Sequence, residues 1–122
     1  MIWILVALAG GVGAVLRFLS DHYLSRRTGR DLPWGTMSIN ALGSCLAGLI
    51  LGLSHWGSAH GSLVAVSLTG LMGGFTTAST LAAEIAGLGQ AKHVRRGVTV
   101  TVGTALAALA LAGLGLWIGL TL

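Results

Sequence analysis

The chain has 122 residues, of which 54% are hydrophobic and only 8% are charged, with a mean hydropathy of +0.87. No Asp, Glu, Lys or Arg occurs between Leu32 and Ala83, which excludes a water-soluble domain and indicates an integral membrane protein. The pI near 10.8 reflects seven Lys and Arg against three acids, and these lie in short loops, so membrane topology explains the pI better than a nucleic-acid surface does.

The first apolar span runs from about Ile2 to Phe18 and is expected to continue toward Tyr23 as an interfacial turn. No basic region precedes it, so we expect no cleavable signal sequence. Gly10 and Gly13 give the span a smooth face. Arg17 has two interpretations, a snorkelling residue at the helix end or a buried cation directed at a functional site.

The second span begins at Pro33 and Trp34, after a loop from about Ser20, and reaches about Leu53. Asn40 is its one strong polar group, and an amide in hydrocarbon needs a partner or a water-lined path. An interhelical hydrogen bond is the alternative explanation for Asn40. The next loop contains two histidines without a third ligand, which is weak evidence for a metal site.

The third hydrophobic run, Ser62 to Leu88, is roughly seven residues longer than the about 20 that cross a bilayer. Small and hydroxyl-bearing residues interrupt it: Gly70, Gly73, Gly74, Thr76, Thr77, Ser79 and Thr80. We infer a helix that is broken at mid-membrane and exposes backbone polar groups to an ion. A continuous helix with glycines at packing contacts is the alternative. Glu84 is the only acid within a span, and we expect it to have a local structural role rather than to couple protons.

The fourth span runs from Gly97 to Leu122, after a loop that begins at about Gly89. Thr101 and Thr104 are three residues apart and share a helix face. For each of these hydroxyls, a hydrogen bond back to its own helix is the expected arrangement.

The distribution of Lys and Arg predicts a fixed orientation. Every one of them lies in or beside the loops after the first and third spans, and the termini and the second loop have none. By the positive-inside rule, these two loops are cytoplasmic and both termini are outside. The chain is therefore expected to be a multi-pass protein of the cell membrane that forms one domain over residues 1–122.

Three motifs together resemble the Fluc (CrcB) family of small fluoride channels across nearly the whole chain. They are Gly10-x-x-Gly13-Ala14-x-x-Arg17-Phe18 in the first span, Pro33-x-Gly35-Thr36-x-x-x-Asn40-x-x-Gly43-Ser44 in the second, and Gly70-x-x-Gly73-Gly74-x-Thr76-Thr77-x-Ser79-Thr80-x-x-x-Glu84 in the third. Each is modest alone, but the three in this order on a four-span frame are specific.

The resemblance implies an all-α, dual-topology protein that forms an antiparallel dimer with two narrow fluoride pores. It also implies a central structural Na⁺ held by backbone carbonyls that map onto Gly73 and Thr76. Broken helix ends are recurrent ion sites in membrane proteins, and carbonyl oxygens suit a hard cation. The residues that match the fluoride path of the family are Arg17, Asn40, Ser79, Thr80 and Thr104.

The chain departs from the family at two aromatic positions. Where the family has pore-lining phenylalanines, this chain has Ala78 and Leu81, and Phe75 matches neither position. Ring edges carry partial positive charge, so one set of fluoride contacts is missing. Together with the biased loop charge, this favours one half of a heterodimer whose homologous partner has the opposite topology and retains the phenylalanines. A homodimer is the alternative.

Two other classes of membrane protein are alternatives to a fluoride channel. A small multidrug exporter also has four spans, but coupled export needs a carboxylate embedded in the membrane, and Glu84 lies near a span boundary. A non-conducting assembly subunit would give no fluoride phenotype with any partner. An enzyme is not expected, since the sequence has no nucleophile–base set and no complete metal-ligand spacing.

Overall fold

The structure is a computed structural model that describes residues 1–28, 33–55, 61–76, 82–83, 86–87 and 94–122. Its principal helices are α1 (Ile2–Thr28), α2 (Trp34–His55), α3 (Gly61–Phe75) and α4 (Val94–Thr121). Helices α1, α2 and α4 are long and apolar enough to cross a membrane, and α3 is apolar but shorter. The predicted all-α membrane fold with an interrupted third helix is confirmed.

Helix α1 is longer than predicted. The interfacial turn expected toward Tyr23 is wrong, because the helix continues to Thr28. Contacts between residues four apart stabilise this extension. The Ser25 hydroxyl donates to Asp21 Oδ1 at 3.3 Å, and the Arg27 guanidinium lies 4.6 Å from the centre of the Tyr23 ring. At about 1.5 Å per residue, α1 is about 40 Å long and exceeds the apolar thickness of a bilayer.

Helix α2 closely matches the prediction, ending at His55 rather than Leu53. Pro33 precedes the helix, and its carbonyl accepts a hydrogen bond from the Met37 N–H at 2.9 Å. Proline has no N–H of its own to leave unsatisfied, so it is well suited to this position.

Helix α3 consists of an α-helical turn (Gly61–Ala65), a π-helical segment (Val66–Met72) and a last α-helical turn (Gly73–Phe75). It ends at Thr76, whose backbone is extended with φ −80° and ψ 147°. At about 1.5 Å per residue, α3 is about 22 Å long and is too short to cross a bilayer core. The glycines do not themselves break the helix: Gly73 has helical angles, and the interruption follows two residues after Gly74.

Helices α1 and α3 run parallel and pack backbone to backbone. A Cβ added at Gly70 would lie 2.7 Å from the Val6 carbonyl oxygen, and one at Gly13 would lie 2.8 Å from the Phe75 nitrogen. A Cβ on Gly74 would overlap the backbone carbonyl group of Gly10. The alternative explanation for these glycines, close packing against another helix, therefore holds in the same helix that also contains the break.

Helices α2 and α4 form a second parallel pair. A Cβ on Gly52 would lie 2.6 Å from the Leu116 carbonyl oxygen, and one on Gly119 would lie 2.6 Å from the carbonyl of Leu49. Small residues on both helices allow this approach of the two backbones.

The ends of these helices meet at one end of the molecule, which we call the basic end: the end of α1 and the starts of α2 and α4. Gly35, near the start of α2, lies against Asp21 and Ser25 of α1, so α1 and α2 are antiparallel, and α4 starts where α2 starts. Among the residues that the structure describes, three exposed arginines lie at this end: Arg26, Arg27 and Arg95. This arrangement agrees with the prediction that the first and third loops share a side, whereas the assignment of that side to the cytoplasm stays a prediction.

Candidate functional site

The break in α3 lies near half the height of its neighbours. A Cβ on Gly43 of α2 would meet the Thr76 methyl group and would lie 3.1 Å from Cδ1 of Phe75. Gly43 is about 14 Å along a helix of about 33 Å. On the other side, Gly13, about 17 Å along α1, lies against the Gly74–Phe75 peptide. The helix therefore ends in the middle of the layer that α1 and α2 span.

The end of α3 presents backbone oxygens. A helix leaves its last four carbonyls without an intrahelical donor. One of these, the Met72 carbonyl, accepts both the N–H and the hydroxyl of Thr76 at 2.9 Å, so the carbonyls from Gly73 onward carry the negative end of the helix dipole. The Thr76 side chain is engaged with its own helix, and the backbone oxygen remains its candidate ligand.

Gly73 faces away from α1. It is exposed, and a Cβ there would meet nothing closer than the Leu68 carbonyl at 3.8 Å. Among the described residues, no group of three or more His, Cys, Asp or Glu could hold a metal ion. Backbone carbonyl oxygens, such as those at the end of α3, suit hard cations such as Na⁺ and Ca²⁺.

Asn40 lies on a buried polar face of α2. Thr36, Asn40 and Gly43 follow each other at helical spacing, and Thr36 and Asn40 are 2% and 9% exposed. Gly43 contacts the break directly, so Asn40 lies one turn from it, toward the basic end. The side-chain amide that the sequence singled out is thus buried close to the end of α3.

Thr104 of α4 lies at about the same height in the molecule as the polar face of α2. It is 4% exposed, and its hydroxyl donates to the Val100 carbonyl at 2.7 Å. Extending the contact register of α2 and α4 toward their first residues places Thr104 level with the turns that carry Thr36 and Asn40. Thr101 likewise donates to the Gly97 carbonyl at 2.9 Å. The expected back-bonding of these hydroxyls is confirmed, and each oxygen remains an acceptor.

Arg17 is half-buried and lies one helical turn beyond Gly13 on the same side of α1, toward the basic end. Because α1 continues to Thr28, Arg17 is not at a helix end. Arg17 therefore lies within the helix, and a role for its guanidinium at a functional site stays a prediction.

Several predicted site residues fall outside the described residues: Ala78, Ser79, Thr80, Leu81 and Glu84. The roles proposed for them rest on the sequence. The structure adds Phe75 and Gly43, two residues that sequence reasoning did not assign to the site. Phe75 is 8% exposed and its ring packs at Gly43. The sequence contained one indication of this contact, a single aromatic residue directly after a pair of glycines.

Comparisons with known proteins show the family of the chain. A family model described as "CrcB-like protein, Camphor Resistance (CrcB)" matches residues 4–116. The chain is 40% identical over 114 residues to a "Fluoride-specific ion channel FluC 1" of Leifsonia xyli, covering 93% of this chain and 83% of that protein. It is 38% identical over 117 residues to a "Fluoride-specific ion channel FluC 2" of Mycobacterium tuberculosis, with 96% and 90% covered. A protein of the same name in Cutibacterium acnes is 42% identical over 121 residues, with 98% and 96% covered.

Proposed function

Because the chain belongs to the CrcB family of fluoride-specific ion channels and is not an enzyme, we propose that it forms part of a passive exit path for fluoride in the cell membrane. In this proposal the working unit contains two oppositely inserted subunits. The described residues of a single chain contain three full-length apolar helices and a shorter one that ends at Phe75, and we infer that one chain of this size has too few walls for an enclosed pore.

The observation that carries the proposal is the end of α3 at the middle of the membrane layer. Backbone polar groups at that depth need protein or water around them, because lipid cannot satisfy them. The outer face of α3 suits a protein neighbour: Thr69 and Gly73 are exposed there, and Leu63 is the only exposed large apolar residue within the described part of α3. Small and polar residues favour helix contacts over lipid.

The backbone carbonyl oxygens at this break are suitable ligands for a structural Na⁺. The carbonyls of Gly73 and Thr76 would hold it, and the C-terminal dipole of α3 favours a positive charge there. A second subunit related by a two-fold axis would bring an identical or homologous helix end to the same point. The bound cation would offset the repulsion between the carbonyl dipoles of the two facing helix ends.

The fluoride path is proposed to follow hydrogen-bond donors near the break. Asn40 can donate through its amide and Arg17 through its guanidinium. Ser79 and Thr80, assigned from the sequence, supply hydroxyls along the same path. Thr104 would join them by turning its hydroxyl from the Val100 carbonyl, to which it donates at 2.7 Å, toward the ion. A bare fluoride ion in hydrocarbon would have a large desolvation cost, and donors to a charged acceptor offset it more effectively than neutral pairs do.

We further propose that the partner is a homologous subunit rather than a second copy. The exposed Arg26, Arg27 and Arg95 lie at one end of the molecule, so a chain inserted in the opposite orientation would violate the positive-inside rule. Ala78 and Leu81 replace aromatic contacts to fluoride, which a partner with phenylalanines would supply for one of the two pores.

The test is a fluoride-efflux assay on liposomes containing the purified chain alone, or the chain co-expressed with a homologue encoded in the same genome. We expect efflux only from the mixed assembly. Efflux from the chain alone would refute the heterodimer and leave the fluoride channel standing. Absence of fluoride efflux with every homologous partner, from an intact assembly, would refute the channel and favour a non-conducting subunit.

A further inference from the structure

One acidic residue outside the ion path makes an unusual contact between α1 and α2. Asp21 is half-buried on α1, and its Oδ1 occupies the space that a Cβ on Gly35 would need. The Ser25 hydroxyl, which donates to the same Oδ1 at 3.3 Å, would lie 2.9 Å from that Cβ. The carboxylate is therefore packed against the first turn of α2, where only glycine leaves room.

This turn carries N–H donors that its own helix does not satisfy, together with a positive partial charge. The first N–H groups of a helix have no intrahelical acceptor, and the helix dipole attracts an anion to this end. Pro33 removes one donor but supplies no side chain that caps the turn. The first turn of α2 itself contains no acid, and the acid that lies against it is Asp21 of the neighbouring helix.

From this contact we propose that Asp21 is a positioning residue for the polar face of α2. Its charge attracts the start of α2 to the end of α1 and so fixes the height and rotation of the residues that follow Gly35. The first of them is the buried Thr36, and Asn40 follows one turn later. Ser25 orients the carboxylate, and Gly35 provides the space for it.

Charge and packing are separable by substitution at Asp21. Asp21→Asn retains the shape and removes the charge, whereas Asp21→Glu retains the charge and lengthens the side chain. If charge positions α2, the glutamate variant keeps the start of α2 in place and the asparagine variant does not. If Asp21 merely fills space, asparagine is tolerated and glutamate is not.

The first readout is hydrogen–deuterium exchange of the backbone amides at Trp34, Gly35 and Thr36 in the purified assembly. We expect Asp21→Asn to accelerate their exchange on the order of five-fold, the size of a charge–dipole interaction at a helix terminus, and Asp21→Glu to resemble the wild type. Equal exchange in Asp21→Asn and wild type would overturn the proposal, as would loss of protection in both variants. Ser38→Ala, an exposed change on the same helix, is the control.

The second readout is fluoride efflux, which rests on the proposed function. We expect lower efflux for Asp21→Asn and near-normal efflux for Asp21→Glu. If the wild type does not conduct, the exchange measurement still decides the role of Asp21. If Asp21→Asn does not assemble, Ser25→Ala is the milder variant, since it removes only the hydroxyl that donates to Oδ1. Unchanged exchange at the same three amides in Ser25→Ala would then overturn the proposal.

Discussion

Gly13 of α1 lies directly against the backbone nitrogen of Phe75, which a Cβ on Gly13 would approach to 2.8 Å. One glycine without a side chain thus allows α1 to contact the last turn of α3 before its break. On the opposite side, Gly43 of α2 provides the space for the Phe75 ring. The end of α3 is held between two glycines, so its carbonyl oxygens have a defined position.

We therefore expect Gly13→Ala to destabilise the protein and to disturb the break. The added methyl group meets backbone, which cannot rotate away, and overpacking of this kind costs about 1–3 kcal/mol. Gly11→Ala is the matched control, because nothing lies within 4 Å of a Cβ there, and alanine is the better helix former. Thermal unfolding of the two purified variants in detergent measures the difference. Equal midpoints would contradict the packing described here.

The contact between α2 and α4 gives a second matched pair. Gly115→Ala would bring a methyl group to 2.9 Å from the Leu49 nitrogen, whereas a Cβ on Gly113, two residues earlier, has nothing within 4 Å. We expect only Gly115→Ala to lower the unfolding midpoint, by an amount that corresponds to about 1–3 kcal/mol. If Gly113→Ala were equally destabilising, its exposed face would have to pack on another subunit.

The glycines of the first and third spans indicated close packing without showing its partner, whereas the contact between α2 and α4 was not predicted. The run of glycines and hydroxyls before Thr80 predicted the break, yet the helix ends at Thr76 rather than at the glycines. Gly73 keeps helical angles, and Gly74 lies within the helix because its missing side chain lets the Gly10 backbone approach. The extension of α1 to Thr28 was missed, because polar residues after Phe18 resemble a loop. Pairs four residues apart, such as Tyr23 with Arg27, stabilise that segment as helix.

The buried polar face was predicted more completely than its surroundings. An amide in an apolar span draws attention on solvation grounds alone, so Asn40 was identified from sequence. The contact of Asp21 with Gly35 was not, since nothing in the order of residues shows that an acid of one helix lies on the first turn of the next.

Asn40→Leu is expected to reduce fluoride efflux through the path that α2 lines. The change keeps the side chain's approximate size and removes its donor, and a hydrogen bond to a charged group contributes about 1.5–3 kcal/mol. Efflux from liposomes is the measurement, with Ser38→Ala as the exposed polar-to-apolar control on the same helix. Unchanged efflux in an otherwise active assembly would indicate that the pore beside this α2 is already silent.

Gly73→Leu is expected to abolish stabilisation by Na⁺ and to weaken subunit association. Within one chain Gly73 has room for a side chain, so a defect would come from what faces it in the assembly. The measurement is the unfolding midpoint in NaCl against choline chloride, together with the mass of the assembly. Gly61→Leu, in the first turn of the same helix and with nothing within 4 Å of its Cβ, is the control. A normal dimer that Na⁺ still stabilises would count against the cation site at this break.

Restoring the missing aromatic residues tests whether one pore has been lost. Ala78→Phe combined with Leu81→Phe returns the ring edges, whose partial positive charge can contact fluoride. In an active mixed assembly we expect efflux to rise toward twice its original rate, as a second path opens beside the first. Ala82→Phe, at an exposed residue just beyond, controls for added bulk. If efflux stays constant while the assembly remains intact, these two positions alone do not account for a silent pore. The proposal of a heterodimer would then depend only on the arginines that lie at one end of the chain.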